Sequence, residues 1–247
     1  MKLIRNIETI FDYIFNRKEY DDLGKTGERL TYRRLSEFYF KKQIFRNLYI
    51  KKSDGKFTEI DLVSVGRGSV IVYESKNYSG WIFGSDKDAY WTQTLYNRKK
   101  QKFYNPIWQN NTHIEALKEF LKDYQLEFFS IIVFSERCEL KKVECNVPNT
   151  FVIKRNKLEK TVSKIRKNVD KTLTKEQLDE VIYLLNSVQR PEQEIKEQHI
   201  ADIKQTLSSC PRCKSELVER IAKASGNKFI GCSSFPKCRY KTDFKIN

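Results

Sequence analysis

The stretch FTEIDLVSVGRGSVIVYESK, residues 57–76, predicts two β-strands joined by a tight turn, and it decides the predicted fold. Both runs are rich in β-branched residues, which favour strands. If Arg67 and Gly68 form a two-residue hairpin loop, with the glycine at positive φ, the register follows from the turn. In that register Asp61 lies directly opposite Glu74.

Four charged side chains are expected on one face of this hairpin, because cross-strand partners share a face and so do residues two apart. They are Glu59, Asp61, Glu74 and Lys76. Two opposed carboxylates repel each other unless a cation lies between them, and Mg²⁺ is a hard cation that takes oxygen ligands. A lysine beside such an ion can orient an attacking water or stabilise charge on a phosphate. The alternative is the polar outer face of a half-exposed hairpin, without chemistry.

The segments around the hairpin alternate between helix and strand. GKTGERLTYRRLSEF favours a helix after Gly24, and KQIFRNLYIKK favours a strand. Asn105 and Pro106 match the N-cap and first position of a second helix, and residues 128–135 form an apolar run of strand length. The order of helix, three strands, helix and strand indicates an α/β fold, with a mixed sheet flanked by helices.

Four parts are expected along the chain: an amphipathic helix over 1–20, a main domain over 21–155, a helical segment and linker over 156–205, and a cysteine-rich module over 206–247. Within the third part, Thr174 to Gln177 fits a capping box. Leu178, Val181, Ile182 and Leu185 then follow on one helix face. The polar segment from Arg190 to Gln205 predicts either a linker or a solvated helix.

The cysteine-rich module has the ligand pattern of a structural zinc site. Cys210 and Cys213 form one close pair, and Cys232 and Cys238 form a second, wider one. Four thiolates in two pairs can complete a tetrahedral zinc shell, and the intervening segment can form a hairpin turning near Gly226. Four unrelated cysteines are the alternative. Cys138 and Cys145 lack such a neighbour, so they are interpreted as ordinary buried cysteines.

The charge of the chain favours a polyanionic partner. Forty-seven Lys and Arg residues against 32 Asp and Glu give a formal net charge of +15, which points first to nucleic acid and second to an anionic membrane surface. Apolar runs are too short to span a membrane, and the N-terminus lacks a signal-peptide pattern. A cytoplasmic protein with reduced thiols is therefore expected.

Basic residues interleaved with aromatic ones predict where nucleic acid is contacted. One candidate run is in the main domain, with aromatic neighbours at Tyr96, Phe103 and Tyr104; its basic residues are Arg98, Lys99, Lys100 and Lys102. The other is in the cysteine-rich module, where exposed rings could stack on the bases of a single strand. Its candidate residues are Lys228, Phe229, Lys237, Arg239 and Tyr240.

The module also resembles a known family. CPRC, LVER and GNKFIGCSSFPKCRY, within residues 210–240, are similar to the zinc ribbon at the C-terminus of bacterial DNA topoisomerases. This resemblance implies binding to DNA, in particular to single strands.

A second resemblance covers roughly residues 24–121, which are similar to the nuclease-related domain family, known as NERD, itself similar to the PD-(D/E)xK nucleases. The matching residues are Gly24, Gly27, Glu28, Glu59, Ile60, Asp61, Glu74, Ser75, Lys76, Asn77, Gly80, Trp91, Asn105, Pro106 and Gln109. The resemblance implies a restriction-endonuclease-like sheet, with Asp61 and Glu74 as ligands of a catalytic Mg²⁺ or Mn²⁺ and Lys76 as the catalytic lysine. It also implies that Glu28 is an additional metal or water ligand, and that Gln109 is the motif glutamine of the second helix.

Together these features predict a metal-dependent DNA endonuclease that acts in DNA processing or defence, with a zinc ribbon that binds single-stranded or duplex DNA. Two alternatives stay open: a non-catalytic nucleic-acid-binding accessory protein, and an RNA-directed nuclease. Neither charge nor a zinc ribbon separates DNA from RNA, and the sequence does not determine the oligomeric state.

Overall fold

The structure is a computed structural model that describes residues 18–242 apart from 190–192, 223–225 and 227. The predicted N-terminal helix over 1–20 lies almost wholly outside the described residues. The chain divides into two compact units, one covering Glu19–Ile195 and the other holding the chain from Lys196 onward.

The first unit contains four helices and nine strands in the described part of the chain. In chain order these are α1 (Lys18–Leu35), β1 (Ile44–Lys51), β2 (Phe57–Val65), β3 (Ser69–Lys76), β4 (Gly80–Ser85), β5 (Tyr90–Thr94), β6 (Lys100–Tyr104), α2 (Pro106–Phe120), β7 (Glu127–Phe134), β8 (Cys138–Glu144), β9 (Thr150–Lys154), α3 (Leu158–Asn168) and α4 (Lys175–Ser187). The second unit contains α5 (Gln193–Ser208, which begins just before the division), β10 (Leu217–Ile221), β11 (Lys228–Cys232) and β12 (Lys241–Thr242).

The main sheet has five strands in the order β1-β2-β3-β7-β9. Strand β2 is antiparallel to both of its neighbours, β1 and β3, whereas β3, β7 and β9 are parallel. Apolar residues of α2 and α4 cover one face of this sheet, and those of α1 and α3 cover the other. The predicted class, a mixed sheet flanked by helices, is confirmed.

Two helix starts agree with the predicted capping residues. The side chain of Asn105 accepts a hydrogen bond from the Ile107 amide, with Pro106 at the first helical position of α2. Thr174 and Gln177 form the reciprocal capping box of α4. Both caps satisfy backbone donors that a helix start otherwise leaves without partners.

The hairpin register is confirmed, but its turn differs from the prediction. Val63 pairs with Val72, in the register that the predicted loop requires, and the Gly66 amide donates to the Ser69 carbonyl over 2.7 Å. Gly68 does not adopt positive φ, so that part of the prediction is wrong. A Cβ at Gly68 would lie 1.7 Å from the carbonyl oxygen of Asp170. Glycine is therefore needed for the close approach of another backbone segment.

Helix α1 is longer than predicted, because it is already helical at Lys18 and runs through Gly24 rather than starting after it. It reaches the end of β3 at Gly27, where a Cβ would lie 2.8 Å from the Cβ of Asn77. Among the described residues, no helix combines the length and the apolar character that crossing a bilayer requires.

A second sheet, which the sequence analysis did not predict, has four strands in the order β6-β5-β4-β8. Its inner face packs into a core that includes Ile82, Trp91 and Phe103. The basic run predicted to contact nucleic acid lies on the turn between β5 and β6 and along β6. Arg98, Lys99, Lys100 and Lys102 are all exposed there.

The second unit is a small three-stranded sheet of β10, β11 and β12, preceded by α5. The predicted hairpin is present, with Leu217 paired to Cys232 at its base and Gly226 at a φ of 67° in its loop. From Gln193 onward the polar segment before it forms α5, so the solvated-helix alternative describes this part of the segment.

Candidate functional site

The candidate nuclease site forms where β2 and β3 separate. The last pair between these strands is Leu62 with Tyr73. Beyond it β3 remains paired with β7 on its other side, where Glu74 lies beside Ile132. Asp61 and Glu74 are the first residues past the last pair, so two carboxylates flank the point of divergence.

The pairing between β1 and β2 is interrupted at Asp61, opposite a distorted residue of β1. Residues on both sides of Asn47 and Asp61 pair between β1 and β2, but these two do not. Asn47 has a φ of 54°, a left-handed conformation that asparagine tolerates better than most residues. Asp61 therefore lies at an irregular, unpaired position of β2.

The residues around this irregular position depart from the predicted face pattern. Thr58 bonds to His113 of α2 over 2.9 Å, and Ile60 packs in the same cluster as Val63. The side chains that face α2 thus change from even-numbered to odd-numbered positions within β2, whereas the prediction assumed that side chains alternate strictly along the strand. Glu59 instead pairs with Tyr49 of β1 and hydrogen-bonds its hydroxyl, whose pKa is raised by burial and by this carboxylate. The prediction that Glu59 shares a face with Glu74 and Lys76 is wrong.

Helix α2 supplies the third side of the site. Its buried Asn110 donates to the Val72 carbonyl over 3.0 Å, which docks the helix against β3. Gln109 then accepts a hydrogen bond from the Lys76 ammonium over 3.1 Å. The same ammonium donates to Glu74 over 2.6 Å. Three predicted site residues from two elements are thus in direct contact.

Opposed carboxylates were expected to need a nearby cation. In the structure the Lys76 ammonium lies beside Glu74. Burial alone lowers the pKa of Lys76. The charge and hydrogen bond of Glu74, together with Tyr78 and Asp61, outweigh burial and hold that pKa above its usual value. Lys76 is therefore a charged ammonium that compensates one carboxylate.

The other carboxylates keep unfavourable surroundings. Burial raises the pKa of Asp61 well above its usual value, and the charges of Glu74 and Glu28 raise it further. Glu28 lies on α1, and its pKa is raised first by burial and then by Glu74. Raised pKa values mark carboxylates that lack sufficient compensation, which is characteristic of functional sites.

His113 is a neighbour that the sequence analysis regarded mainly as a packing residue. It lies one turn after Gln109 on α2 and is buried, with its Nε2 atom 3.9 Å from Glu74 Oε2. Its Nδ1 atom contacts Thr58, which fixes the ring. The spacing of four residues from Gln109 was the signal available in the sequence.

These residues suit a hard divalent cation by their chemistry. Asp61 and Glu74 supply oxygen atoms, the ligands that Mg²⁺ prefers, and water completes the shell of such ions. The carboxylate oxygens are spaced more widely than the ligands of a fully protein-coordinated metal site. Among the described residues, only the four cysteines bring three or more potential metal ligands within 4.8 Å of one another.

The four-cysteine group is compact enough for zinc. All four sulfur atoms of Cys210, Cys213, Cys232 and Cys238 lie within 4.8 Å of one another. Cys210 is 3.7 Å from Cys238, and Cys213 is 3.3 Å from Cys232. A tetrahedron with Zn–S bonds of about 2.3 Å has edges of roughly 3.8 Å, so these separations fit. Hydrogen bonds from Ser215 lower the pKa of the exposed Cys213 thiol to about 6, which favours the thiolate that zinc binds.

The predicted nucleic-acid contacts of the second unit differ in exposure. Lys237 and Arg239 are exposed, Phe229 is half-buried, and Tyr240 packs against the cysteine group. The side chain of Lys228 lies outside the described residues. Phe235, which was not among the predicted contacts, is exposed, with the Arg220 guanidinium 5.6 Å from its ring centre.

Comparison with known families finds two matches in the chain. Residues 23–135 match the nuclease-related domain. Residues 208–247 match the DNA-binding four-cysteine zinc finger of topoisomerases.

Among known proteins, an uncharacterized protein of Bacillus anthracis is 34% identical over 178 residues, which cover 72% of this chain and 82% of that protein. DNA topoisomerase 1 of Mycoplasma genitalium is 55% identical over 31 residues, and that of Mycoplasma pneumoniae is 52% identical over the same length. Those 31 residues cover 13% of this chain and 4% of each topoisomerase. No solved structure matches the chain.

Proposed function

Because the chain belongs to the nuclease-related domain family and ends in a topoisomerase-type zinc ribbon, we propose that it is a metal-dependent endonuclease that hydrolyses phosphodiester bonds of DNA. The observation that carries the proposal is the group at the divergence of β2 and β3. Lys76 there contacts Glu74 and Gln109. The charges of Glu74 and Glu28 also lie close enough to Asp61 to raise its pKa beyond the effect of burial.

In this proposal Asp61 and Glu74 hold Mg²⁺ or Mn²⁺, and Glu28 binds it directly or through water. When bound, the ion would lower the pKa of its water and neutralise charge on the phosphate. The raised pKa values of Asp61 and Glu28 support the assignment. They arise first from burial and then from neighbouring carboxylates, and a bound cation would offset both effects.

Lys76 is proposed to act on the phosphate or on the attacking water. An ammonium has three N–H donors, and Glu74 and Gln109 take two of them. The third is available to a non-bridging phosphate oxygen as negative charge develops there. Gln109 and His113 are positioning residues in this scheme: Gln109 orients the ammonium and His113 lies behind Glu74.

The test is a cleavage assay on plasmid, linear duplex and single-stranded DNA, and on RNA, with and without Mg²⁺ or Mn²⁺. Wild type is expected to cut at least one DNA substrate only with metal, and Asp61→Asn is expected to abolish the cut. Asp123→Asn is the matched control, because Asp123 is an exposed aspartate outside the site. Metal-independent cleavage, or equal activity of Asp61→Asn and Asp123→Asn, would exclude this active site.

Two alternatives have distinct outcomes in the same assay. A non-catalytic accessory protein would bind DNA through the zinc ribbon and cut none of the substrates. An RNA-directed nuclease would cut RNA in preference to every DNA form, with the same dependence on Asp61 and metal.

A further inference from the structure

The outer face of the second sheet carries aromatic and basic side chains together. Ile82 and Trp91 point into the core, so alternation turns Phe83, Tyr90 and their cross-strand partners outward. Cross-strand register places Tyr90 beside Tyr104 and Thr92 beside Lys102. Aromatic side chains clustered on the solvent-exposed face of a sheet are unusual unless that face binds a partner.

Three rings at one end of this face form a connected and exposed set, which we call the aromatic platform: Tyr90, Tyr104 and Trp108. They are 60%, 49% and 38% exposed, respectively. Tyr104 contacts Tyr90 and Trp108 edge-to-face, with ring centres 6.2 Å apart in each case. The Trp108 indole N–H also donates to the Asp86 carbonyl over 2.8 Å. The rings are therefore held in place before any ligand arrives, which lowers the entropy cost of binding.

The charge beside the platform is positive. On β6, Lys100 and Lys102 are exposed and lie four and two residues before Tyr104, respectively, on the same side of the strand. Rings beside lysines suit a polymer that presents flat apolar bases and anionic phosphates at a regular spacing. Every base has a face that can stack, so this kind of recognition needs unpaired bases but no particular sequence.

The platform shares helix α2 with the candidate nuclease site. Trp108 directly precedes Gln109 on α2, and Gln109 contacts the Lys76 ammonium. A strand whose bases stack on Tyr104 and Trp108 would therefore lie beside the catalytic residues.

From these observations we infer that the aromatic platform binds the unpaired bases of a single-stranded nucleic acid and holds that strand beside the nuclease site. This assigns a single-strand contact to the first unit, separate from the zinc ribbon. This inference deepens the proposed function. It rests on that function only for the claim that the bound strand is held beside a nuclease site.

The test measures binding of full-length protein in an Asp61→Asn background, where no strand is cut. Short oligothymidylate, its RNA counterpart and an abasic oligomer of equal length serve as probes at one fixed salt concentration. We expect Tyr104→Leu to weaken binding to the base-bearing strands by about fivefold to a hundredfold, the range for one stacked base. Binding to the abasic strand should stay within about twofold, because phosphate contacts are kept.

Two controls separate stacking from other effects. Tyr104→Phe keeps the ring and is expected to bind like the parent protein. Tyr183→Leu removes a tyrosine that is 74% exposed on α4 and should also leave binding unchanged. Thermal unfolding of each variant reports any loss of folding.

Two results would overturn the inference: a loss for Tyr104→Leu no greater than for Tyr183→Leu, or an equal loss on base-bearing and abasic strands. Failure of the proposed function is distinguishable from these. If the Asp61-containing protein cuts no substrate but Tyr104→Leu selectively loses base-bearing strands, the platform stands and the nuclease assignment fails.

Discussion

Replacement of Lys76 by methionine should destabilise the folded protein strongly in the absence of divalent metal. The ammonium lies 2.6 Å from Glu74, and the two side chains are 16% and 4% exposed, respectively. Methionine fills a similar volume but leaves the Glu74 carboxylate buried, near the charges of Asp61 and Glu28. Removing one partner of a buried ion pair typically costs about 3–5 kcal/mol. A domain of this size loses about 2–4 °C in Tm per kcal/mol, so the expected decrease is roughly 6–20 °C.

Thermal unfolding followed by circular dichroism without metal measures this decrease. The matched control is Lys118→Met on α2, where the pair with Glu115 has a similar length, 2.9 Å, but is exposed. An exposed pair contributes about 0–1 kcal/mol, so the control should scarcely change Tm. The double variant Lys76→Met with Glu74→Gln should recover much of the loss, because no charge is then left buried alone. Mg²⁺ should also recover part of it for Lys76→Met by supplying a replacement cation. Equal Tm values for Lys76→Met and Lys118→Met would refute the reasoning.

Three further predictions concern other parts of the molecule. The raised pKa of Asp61 means that the folded state holds this proton more tightly than the unfolded state, so wild type should lose stability as pH rises through that pKa. In urea unfolding without metal, Asp61→Asn should therefore exceed wild type in stability near neutral pH, and the difference should close towards about pH 4. Metal analysis should find about one zinc per chain, and Cys238→Ser should lose it without changing the unfolding of residues 19–195. Gly68→Ala should lower Tm, because its Cβ would meet the Asp170 carbonyl at 1.7 Å; an unchanged Tm would contradict that contact.

Local patterns were sufficient for some features. The register of β2 and β3 could be predicted because a tight turn connects the strands and fixes every later pair. The cysteine group could be predicted because the two ligands of each pair are close in sequence. Caps at Asn105 and Thr174 depend only on the following three residues.

Other features depend on partners far away in the chain. The face change within β2 coincides with the left-handed Asn47 on the neighbouring strand, which alternation in β2 alone cannot reveal. The second sheet was missed because β5 and β6 are short and rich in polar residues, and because β4 pairs with β8 far along the sequence. The contact of His113 with Thr58 joins residues 55 positions apart.

The parallel pairing of β3 with β7 sets the order in which the site can arise during synthesis. Glu74 and Lys76 lie beyond the last pair with β2, and in the main sheet their backbone is held by Ile132 and Phe134. A hairpin of β2 and β3 can form soon after it leaves the ribosome, but parallel contacts must await the closure of a long loop. The carboxylate and the ammonium thus acquire fixed positions only after the chain has been translated through Phe134. A nascent chain that stops between Lys76 and Phe134 contains Glu74 and Lys76 but lacks the complete strand that aligns them. The proposed site can therefore form only after more than half of the 247 residues have been synthesised.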